Sequence, residues 1–328
     1  MTAAPESDLG ASRPGAHAGR GLFGASPRAA RSLTVAAPWL FVLLWSTGFI
    51  GAKYGLPSAA PFTFLALRLH IAWILLVGIA LTRRASWPRN RRATGHLAVA
   101  GLLLHAGYLG GVFFAIAHGL PAGLASLIVG LQPILTAVGA QALLRERVAR
   151  RQWLGLLLGS VGVALVVGEQ ARTAADHPIG IDAGVAIAIS LLATTIGTLY
   201  QKRFGGGTDL TSSAAIQYAA AGVAITPLAL AEGEHIAWRL SFILALAWLV
   251  LALSLGAVLL LLALIRQHAA SRVTGLLYLV PPATALEAYL LFSERLGPGA
   301  LMGMVVVVAG VTLVIRPPGD ARASGAEE

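Results

Sequence analysis

Long apolar runs, separated by short breaks that are polar or rich in Pro and Gly, dominate the chain. A helix needs roughly 20 apolar residues to cross a hydrocarbon core about 30 Å thick. The runs lack the alternation of barrel strands, and a helix satisfies its own backbone hydrogen bonds in lipid, so we predict an all-α polytopic membrane protein. The ten predicted transmembrane helices are Thr34 to Tyr54, Pro61 to Leu81, His96 to Ala117, Pro121 to Leu144, Gln152 to Val167, Asp182 to Gln201, Leu210 to Leu230, Ser241 to Ile265, Arg272 to Phe292 and Pro298 to Ile315.

The composition agrees with a membrane protein. Hydrophobic residues make up 57% of the chain, charged residues 12%, and the mean hydropathy is +0.77, outside the range of ordinary soluble domains. The chain has no cysteine, which excludes disulfides, thiol nucleophiles and thiolate metal sites. Residues 1–32 offer little to bury and are predicted to form a disordered cytoplasmic tail. The first apolar run is longer than a signal-peptide core, so we expect it to be retained as the first helix.

The 24 Lys and Arg residues concentrate in alternate loops, which indicates how the spans are oriented. A cytoplasmic N-terminus places nearly all of them in the cytoplasm, so the positive-inside rule favours an N-in, C-in arrangement. The formal charge of +10 is then explained by loops near anionic lipid headgroups, and we predict no nucleic-acid partner. The cytoplasmic cations would be Arg13, Arg20, Arg28, Arg31, Arg83, Arg84, Arg89, Arg91, Arg92, Arg145, Arg147, Arg150, Arg151, Lys202, Arg203, Arg266, Arg272, Arg316 and Arg322, whereas the opposite side keeps Lys53, Arg172, Arg239 and Arg295.

The second half of the chain repeats the first. A shift of 148 residues aligns Ala125 to Val167 with Val273 to Ile315, and one more residue of shift puts Arg68 on Gln217. Each unit holds five spans, an odd number, so the second copy crosses the membrane in the opposite sense, as in many secondary transporters. We predict two inverted five-helix repeats at residues 33–168 and 182–316, an external linker at 169–181 and a cytoplasmic tail at 317–328. The paired residues include Pro133 with Pro281, Glu146 with Glu294, Gly155 with Gly303, Gly162 with Gly310, Ser46 with Thr194 and Thr47 with Thr195.

Pro133 and Pro281 are expected to break equivalent helices near their middle. Each proline lacks an amide donor and displaces the carbonyl four residues earlier, on Val129 and Leu277, which leaves backbone oxygen free to face a cavity. The alternative is a packed kink without functional contacts.

Glu287 and Arg68 are the charged residues that the predicted spans hold well inside the membrane. A charge at such depth costs about 2.5 to 3.5 kcal/mol on insertion scales, so it usually faces a cavity or a partner. Both lie in the outer half, which permits an ion pair, although Glu287 could also snorkel outward and Arg68 could bind carbonyls or lipid phosphate. As a hypothesis, Glu287 exchanges a proton with the outer aqueous phase during a transport cycle. Glu146 and Glu294, each at a helix exit beside an arginine, are predicted to be structural.

Other polar side chains in the spans are candidates for a substrate cavity. His105 lies near the centre of the third span and could be a ligand contact, a second proton site or a hydrogen-bonded core residue. Hydroxyl, amide and aromatic groups at equivalent places in both repeats suit a modest polar–apolar solute, or alternatively helix packing. These groups are Trp45, Ser46, Thr47, Gln132, Thr194, Thr195, Tyr200 and Tyr278, and a separate face of Gly155, Gly159 and Gly162 predicts packing or a homodimer.

Four stretches of the sequence resemble the drug/metabolite transporter superfamily, in its ten-span form with two EamA-type repeats. These are LLWSTGF at Leu43 to Phe49, LALRL at Leu65 to Leu69, PILTAVGAQALLRERV at Pro133 to Val148 and PPATALEAYLLFSERL at Pro281 to Leu296. The resemblance covers about residues 34–316. It implies a small-solute permease of the bacterial inner membrane, commonly an exporter of amino acids, metabolites or toxic compounds, with a central cavity drawn from both repeats.

We therefore expect a secondary transporter that works by alternating access, with a small-molecule substrate and no cofactor. An intramembrane enzyme is disfavoured because the sequence lacks an HExxH motif, cysteine, paired intramembrane aspartates and a P-loop, so we predict no catalytic residues and no metal site. A membrane sensor or assembly factor without transport stays open as the alternative.

The inverted arrangement predicts that the Arg83 to Arg92 loop and the Glu232 to Arg239 loop lie on opposite sides of the membrane. Because the chain has no cysteine, the single substitutions Ser86→Cys and His235→Cys can be probed with a membrane-impermeant maleimide in whole cells and in inverted vesicles. The first should react only from the cytoplasmic face and the second only from the outer face. Labelling of both from one face would overturn the inverted topology.

Overall fold

The computed structural model describes residues 27–120, 125, 128–146, 148–172, 180–233, 235–267, 273, 275–292 and 297–315, and the regular elements in these ranges are helical. Two of the helices, α3 and α8, contain a π-helical segment in their middle. The helices are α1 (Pro27–Gly55), α2 (Pro61–Thr82), α3 (Arg91–Gly101, π-helical Leu102–Gly107 and Tyr108–Ala117), α4 (Gln132–Leu143), α5 (Arg150–Arg172), α6 (Ile181–Phe204), α7 (Leu210–Glu232), α8 (Leu240–Trp248, π-helical Leu249–Ala257 and Val258–Gln267), α9 (Val280–Phe292) and α10 (Pro298–Ile315).

Six stretches of the described residues are helices long and apolar enough to cross a membrane. They lie in α1, α2, α3, α6, α7 and α8, and a shorter apolar helix, Leu301–Val314, lies within α10. Large apolar side chains cover the outward faces, with Leu230 76% and Val305 70% exposed, as suits a surface in contact with lipid. All ten predicted spans contain helix, although Pro121 and Arg272, at the start of the fourth and ninth, lie outside the described residues.

The first helix begins earlier than the sequence pattern predicts. Helix α1 starts at Pro27, inside the segment expected to be a disordered tail. Proline is favoured in the first turn of a helix, and the arginine and alanine residues that follow are good helix formers, which explains a helix start at Pro27. The chain divides into two units between Ala37 and Pro38, and the helix packing described below lies within the second unit.

Side-chain caps fix where two of the later helices begin. The Asn90 carboxamide accepts a hydrogen bond from the Ala93 amide at 2.7 Å at the start of α3. At the start of α7, the Asp209 carboxylate accepts from the Thr211 amide at 2.7 Å. Each cap satisfies an amide that the first turn leaves without a partner. Helix α7 ends at Gly233, whose backbone has the left-handed conformation (φ 60°) that glycine adopts without strain.

Helices α5 and α10 are equivalent in the two repeats, and they pack on each other through glycine. A Cβ atom on Gly155 would lie 2.5 Å from the carbonyl oxygen of Gly310, and one on Gly162 would lie 2.7 Å from that of Gly303. Gly303 and Gly310 are the repeat counterparts of Gly155 and Gly162, so each glycine contacts the counterpart of the other. Such a reciprocal pattern requires the two helices to run antiparallel. The glycine face of α5 is therefore used within the chain.

Other helix pairs repeat the antiparallel arrangement. Helix α2 packs on α7, its repeat counterpart, and the Phe62 amide near the start of α2 donates to the Glu232 carboxylate at the end of α7 at 2.8 Å. Further along the pair, His70 lies against Gly222. Helices α1 and α8 meet where a Cβ on Gly48 would touch Leu253 at 2.6 Å.

The contact of α6 with α3 is the repeat image of the contact of α1 with α8. A Cβ on Gly197 would touch Leu104 at 2.9 Å, and a shift of 149 residues converts this pair into Gly48 and Leu253. The equivalent helices of the two halves therefore pack around a common centre with reciprocal contacts.

The α5–α10 contact predicts a difference between two glycine-to-alanine substitutions. Gly155→Ala forces a methyl group against the Gly310 backbone and should cost about 1 to 3 kcal/mol, because neither backbone can move away easily. Gly78→Ala in α2, where a Cβ meets nothing within 4 Å, is the matched control and should be neutral or stabilising by up to about 1 kcal/mol through helix propensity. Thermal unfolding in detergent measures both, and a melting temperature for Gly155→Ala equal to or above that of Gly78→Ala would contradict the close contact.

Candidate functional site

A cavity of about 40 Å³ lies between α1, α2, α3 and α8. We call it the central cavity. Its lining includes Trp45, Phe49, Arg68, His105 and Tyr108, and otherwise apolar side chains such as Val112 and Leu253. The volume has room for only a few water molecules. Helices from both halves of the chain contribute to its wall.

A second cavity, of about 20 Å³, shares part of this wall. Trp45, Phe49 and Tyr108 border both cavities, and the Trp45 and Tyr108 rings are parallel, with an interplanar angle of 1° and centroids 6.5 Å apart. Residues of α4 and α9 complete the second cavity, together with the turns that precede them. They are Val129, Gly130, Gln132, Leu277, Val280 and Pro281.

The two prolines stand where helices begin and not in their middle. Pro133 lies in the first turn of α4, after a turn at Gly130, and Pro281 lies in the first turn of α9, after the 3-10 helix Leu276–Leu279. Proline needs no amide partner in a first turn, so the helix break that it marks lies on its N-terminal side. Val129 and Leu277, whose carbonyl groups we expected to be displaced, both line the second cavity.

Arg68 is buried in the wall of the central cavity, with 3% of its side chain exposed. Its Nε donates a hydrogen bond to the Ser254 hydroxyl at 3.0 Å, and the Tyr218 ring lies beside it. Ser254 lies in the π-helical segment of α8. Among the described residues, no carboxylate pairs with Arg68. A buried guanidinium thus depends on neutral groups for its solvation, an arrangement that is costly unless a further partner is supplied.

His105 lies in the π-helical segment of α3 and is equally buried, with 3% exposed. Its ring centroid is 4.4 Å from that of Tyr218, and the Gln217 side chain lies beside it. The Nε2 atom is buried and has no hydrogen-bond partner among the described residues. His105 and Arg68 therefore both lie beside Tyr218.

The polar groups of the two halves contact one another reciprocally. The shift of 149 residues that puts Arg68 on Gln217 also puts His105 on Ser254. In the structure Arg68 binds Ser254, and Gln217 lies beside His105. Ser254, Tyr218 and Tyr108 were missed by the sequence reasoning, and the repeat register was the signal that could have found Ser254.

Glu287 contacts α1 and not Arg68. Its Oε1 accepts a hydrogen bond from the Ser46 hydroxyl at 2.5 Å, and the Thr284 hydroxyl donates to the Ser46 carbonyl at 3.3 Å, which fixes α9 on α1. The other carboxyl oxygen, Oε2, is buried without a partner among the described residues. Arg68 is hydrogen-bonded to Ser254 and Glu287 to Ser46, so this structure contains no Arg68–Glu287 ion pair.

The remaining predicted residues make contacts between or within helices. Thr47 accepts a hydrogen bond from Trp248 Nε1 at 2.8 Å, and Tyr278 pairs its hydroxyl with Ser160 at 2.8 Å. Tyr200 pairs with His96 Nδ1 at 2.6 Å. The other contacts are Thr195 to the Leu191 carbonyl at 2.7 Å, Gln132 Nε2 to the Thr194 carbonyl at 3.5 Å and Gln132 Nε2 to Thr198 at 3.2 Å.

Of these residues, only Gln132 lines either of the two cavities. Glu146 follows the end of α4, and its amide donates to the Ala140 carbonyl at 3.1 Å. Its counterpart Glu294 lies outside the described residues.

A model of the EamA-like transporter family matches the chain twice, at residues 35–168 and 183–316. The uncharacterized transporter YvbV of Bacillus subtilis is 28% identical over 83% of this chain and 88% of its own length. The uncharacterized inner membrane transporter YedA of Escherichia coli K12 is 26% identical, over 83% and 87%. A probable amino-acid metabolite efflux pump of Salmonella typhimurium is 26% identical, over 87% and 97%. One crystal structure of a protein superposes with a TM-score of 0.73 at 20% identity, over 86% of this chain and 96% of that one, and thus shares its fold.

Proposed function

The chain belongs to the EamA-like transporter family, and from this we propose that it is a secondary transporter that exports a small metabolite, amino acid or drug-like solute across the bacterial inner membrane by alternating access. The family resemblance predicted from the sequence is confirmed, and the protein is a membrane transporter by family. The observation that carries the proposal is the central cavity, which is lined by helices of both halves and has a buried arginine and a buried histidine in its wall.

The antiparallel contacts support two inverted five-helix halves. Gly155 with Gly310 and Gly162 with Gly303 are reciprocal contacts between equivalent helices, as a two-fold axis in the membrane plane would produce. An odd number of spans in each half likewise requires the second half to cross the membrane in the opposite sense to the first. In this architecture the solute site lies between the halves. The central cavity supports this, because α1, α2 and α3 of one half and α8 of the other line it.

The size of the central cavity supports a transport cycle with an opening step. At about 40 Å³ it cannot hold an amino acid, so a solute enters only if the surrounding helices separate. Both helices with a π-helical segment, α3 and α8, line the cavity at these segments, through His105 and Leu253. Such segments often mark functional positions within helices. We propose that α3 and α8 rearrange here when the cavity opens.

Two relatives support the location and the direction of transport. YedA is an inner membrane transporter by name, and the Salmonella relative is named a probable amino-acid metabolite efflux pump. We propose the same membrane and outward transport for this chain. A sensor or assembly factor without transport is the alternative, and it requires no exchange of solute through the central cavity.

Solute counterflow tests the proposal. Purified full-length protein in liposomes, preloaded in turn with amino acids, nucleobases and cationic drugs, should accumulate at least one labelled solute, whereas protein-free liposomes should not. Val112→Phe fills the central cavity and should abolish most of this exchange. Val223→Phe, on the outer surface where the side chain is 71% exposed, is the control and should leave it unchanged. If exchange survives Val112→Phe, the solute pathway does not run through the central cavity. If the folded protein exchanges no solute, the transporter proposal is wrong.

Proton coupling through Glu287 is a separate prediction. In Glu287→Gln the amide oxygen can still accept from Ser46, so α9 should stay in place while the titratable group is lost. We expect counterflow without a gradient to persist and accumulation driven by a pH gradient to disappear. Asp182→Asn, at an exposed position in the first turn of α6, should keep both activities. Undiminished pH-driven accumulation in Glu287→Gln would rule out this role.

A further inference from the structure

We propose that Arg68 binds an anionic group of the transported solute, so that the central cavity selects solutes with one carboxylate, or a similar anion, on an apolar body. The inference rests on the proposed transport function and adds the charge class of the solute and the residue that recognises it. It follows from the partners of Arg68, from the charge of the cavity wall and from the character of the remaining lining.

The guanidinium of Arg68 is far from satisfied by its surroundings. An arginine carries five N–H donors, and the hydrogen bond to Ser254 uses the single donor of Nε. The Tyr218 side chain is a second neutral neighbour of the guanidinium, and none of the described carboxylates contacts it. The two terminal nitrogens form the fork that matches the two oxygens of a carboxylate. Ser254 and Tyr218 are neutral partners that use only part of the five donors, so N–H groups of the guanidinium are left for a carboxylate.

The burial of Arg68 makes a missing counter-charge significant. With 3% of its side chain exposed, it has little access to bulk water, and the cavity beside it holds only a few water molecules. Buried charges in proteins are normally paired, because an unpaired charge is costly to remove from water. Glu287, the carboxylate that could have played this part, is bound to Ser46. The solute is then the partner that completes the site.

The wall of the central cavity carries a charge of one sign. Arg68 is its permanently charged member, and none of the described residues that line it is an aspartate or glutamate. In a space of low dielectric a fixed cation attracts anions and repels cations far more strongly than in water. A cationic solute would meet Arg68 with no carboxylate to offset it, so the cavity should exclude it.

The rest of the lining indicates what the anion is attached to. Trp45, Phe49, Tyr108 and Phe113 supply aromatic surface, and Leu109 and Val112 supply aliphatic surface. Such surfaces favour an apolar or aromatic body, since its transfer from water contributes favourably over the whole buried area. The class of solute is thus a small organic anion or zwitterion with an apolar side group.

A matched series of solutes isolates the charge. The compounds 3-phenylpropionate, 3-phenylpropionamide and phenethylamine share one aromatic body and end in an anion, a neutral group and a cation. We expect the wild-type protein in liposomes to exchange 3-phenylpropionate best and phenethylamine least. Arg68→Gln should lower exchange of the anion by about tenfold or more, the effect of losing a charged hydrogen bond, and should abolish the preference for it over the amide. Arg68→Lys keeps the charge and should retain part of the preference.

The variant Ser254→Ala tests the orientation of Arg68 without removing its charge. It removes the hydroxyl that orients Arg68 but leaves the charge, so the order of the three solutes should persist with a raised KM for the anion. Thermal unfolding of every variant, with and without 3-phenylpropionate, provides a readout independent of transport, and a stabilising shift should occur in the wild type and not in Arg68→Gln.

The possible results distinguish this inference from the transport function. Exchange of phenethylamine equal to or faster than that of 3-phenylpropionate, or a charge preference unchanged in a folded Arg68→Gln variant, would overturn the role of Arg68 while transport stands. Arg68-dependent thermal stabilisation by 3-phenylpropionate without exchange of any solute would support the anion site and sink the transport function alone.

Discussion

Antiparallel contact between equivalent helices of the two halves is the constraint on which the rest of the structure depends. The backbones of α5 and α10 come so close at Gly155 and Gly310 that no side chain fits between them. Without a strong hydrophobic force between helices in lipid, such close van der Waals packing is what holds spans together. The same reciprocal geometry joins α1 to α8 and α3 to α6. Because of it, residues far apart in sequence, such as Arg68 and Ser254, meet at one centre.

The centre is stabilised by hydroxyl groups where charges would usually pair. Arg68 and Glu287 each bind a serine from another helix, and Tyr218 packs against both Arg68 and His105. These hydrogen bonds offset part of the cost of burial but leave Nε2 of His105 and Oε2 of Glu287 without partners among the described residues. Unsatisfied buried groups of this kind are uncommon in native proteins and tend to mark functional sites. The arrangement suits a site that exchanges partners during a cycle.

The helical character of the fold could be predicted from the sequence, because the length of an apolar run reports directly on a helix in lipid. Arg68, His105 and Trp45 were also found, since a charge or a ring in an apolar run is conspicuous, and the structure places all three in the central cavity wall. Thr195 and Tyr200 line neither cavity and instead bind the Leu191 carbonyl and His96. The sequence could define where their helix begins and ends, but not which of its faces packs inward. Ser254 escaped notice because one hydroxyl in an apolar helix carries no pattern of its own, and the π-helical segments have no sequence signal of comparable strength.

The parallel rings of Trp45 and Tyr108 border both cavities, and this bears on how a permease stays sealed while it is idle. A continuous file of water through the protein would let protons hop along it and discharge the energy stored across the membrane. Volumes of about 40 and 20 Å³ hold only a few water molecules on either side of the two rings. Two bulky rings in a shared wall are the kind of barrier that interrupts such a file of water.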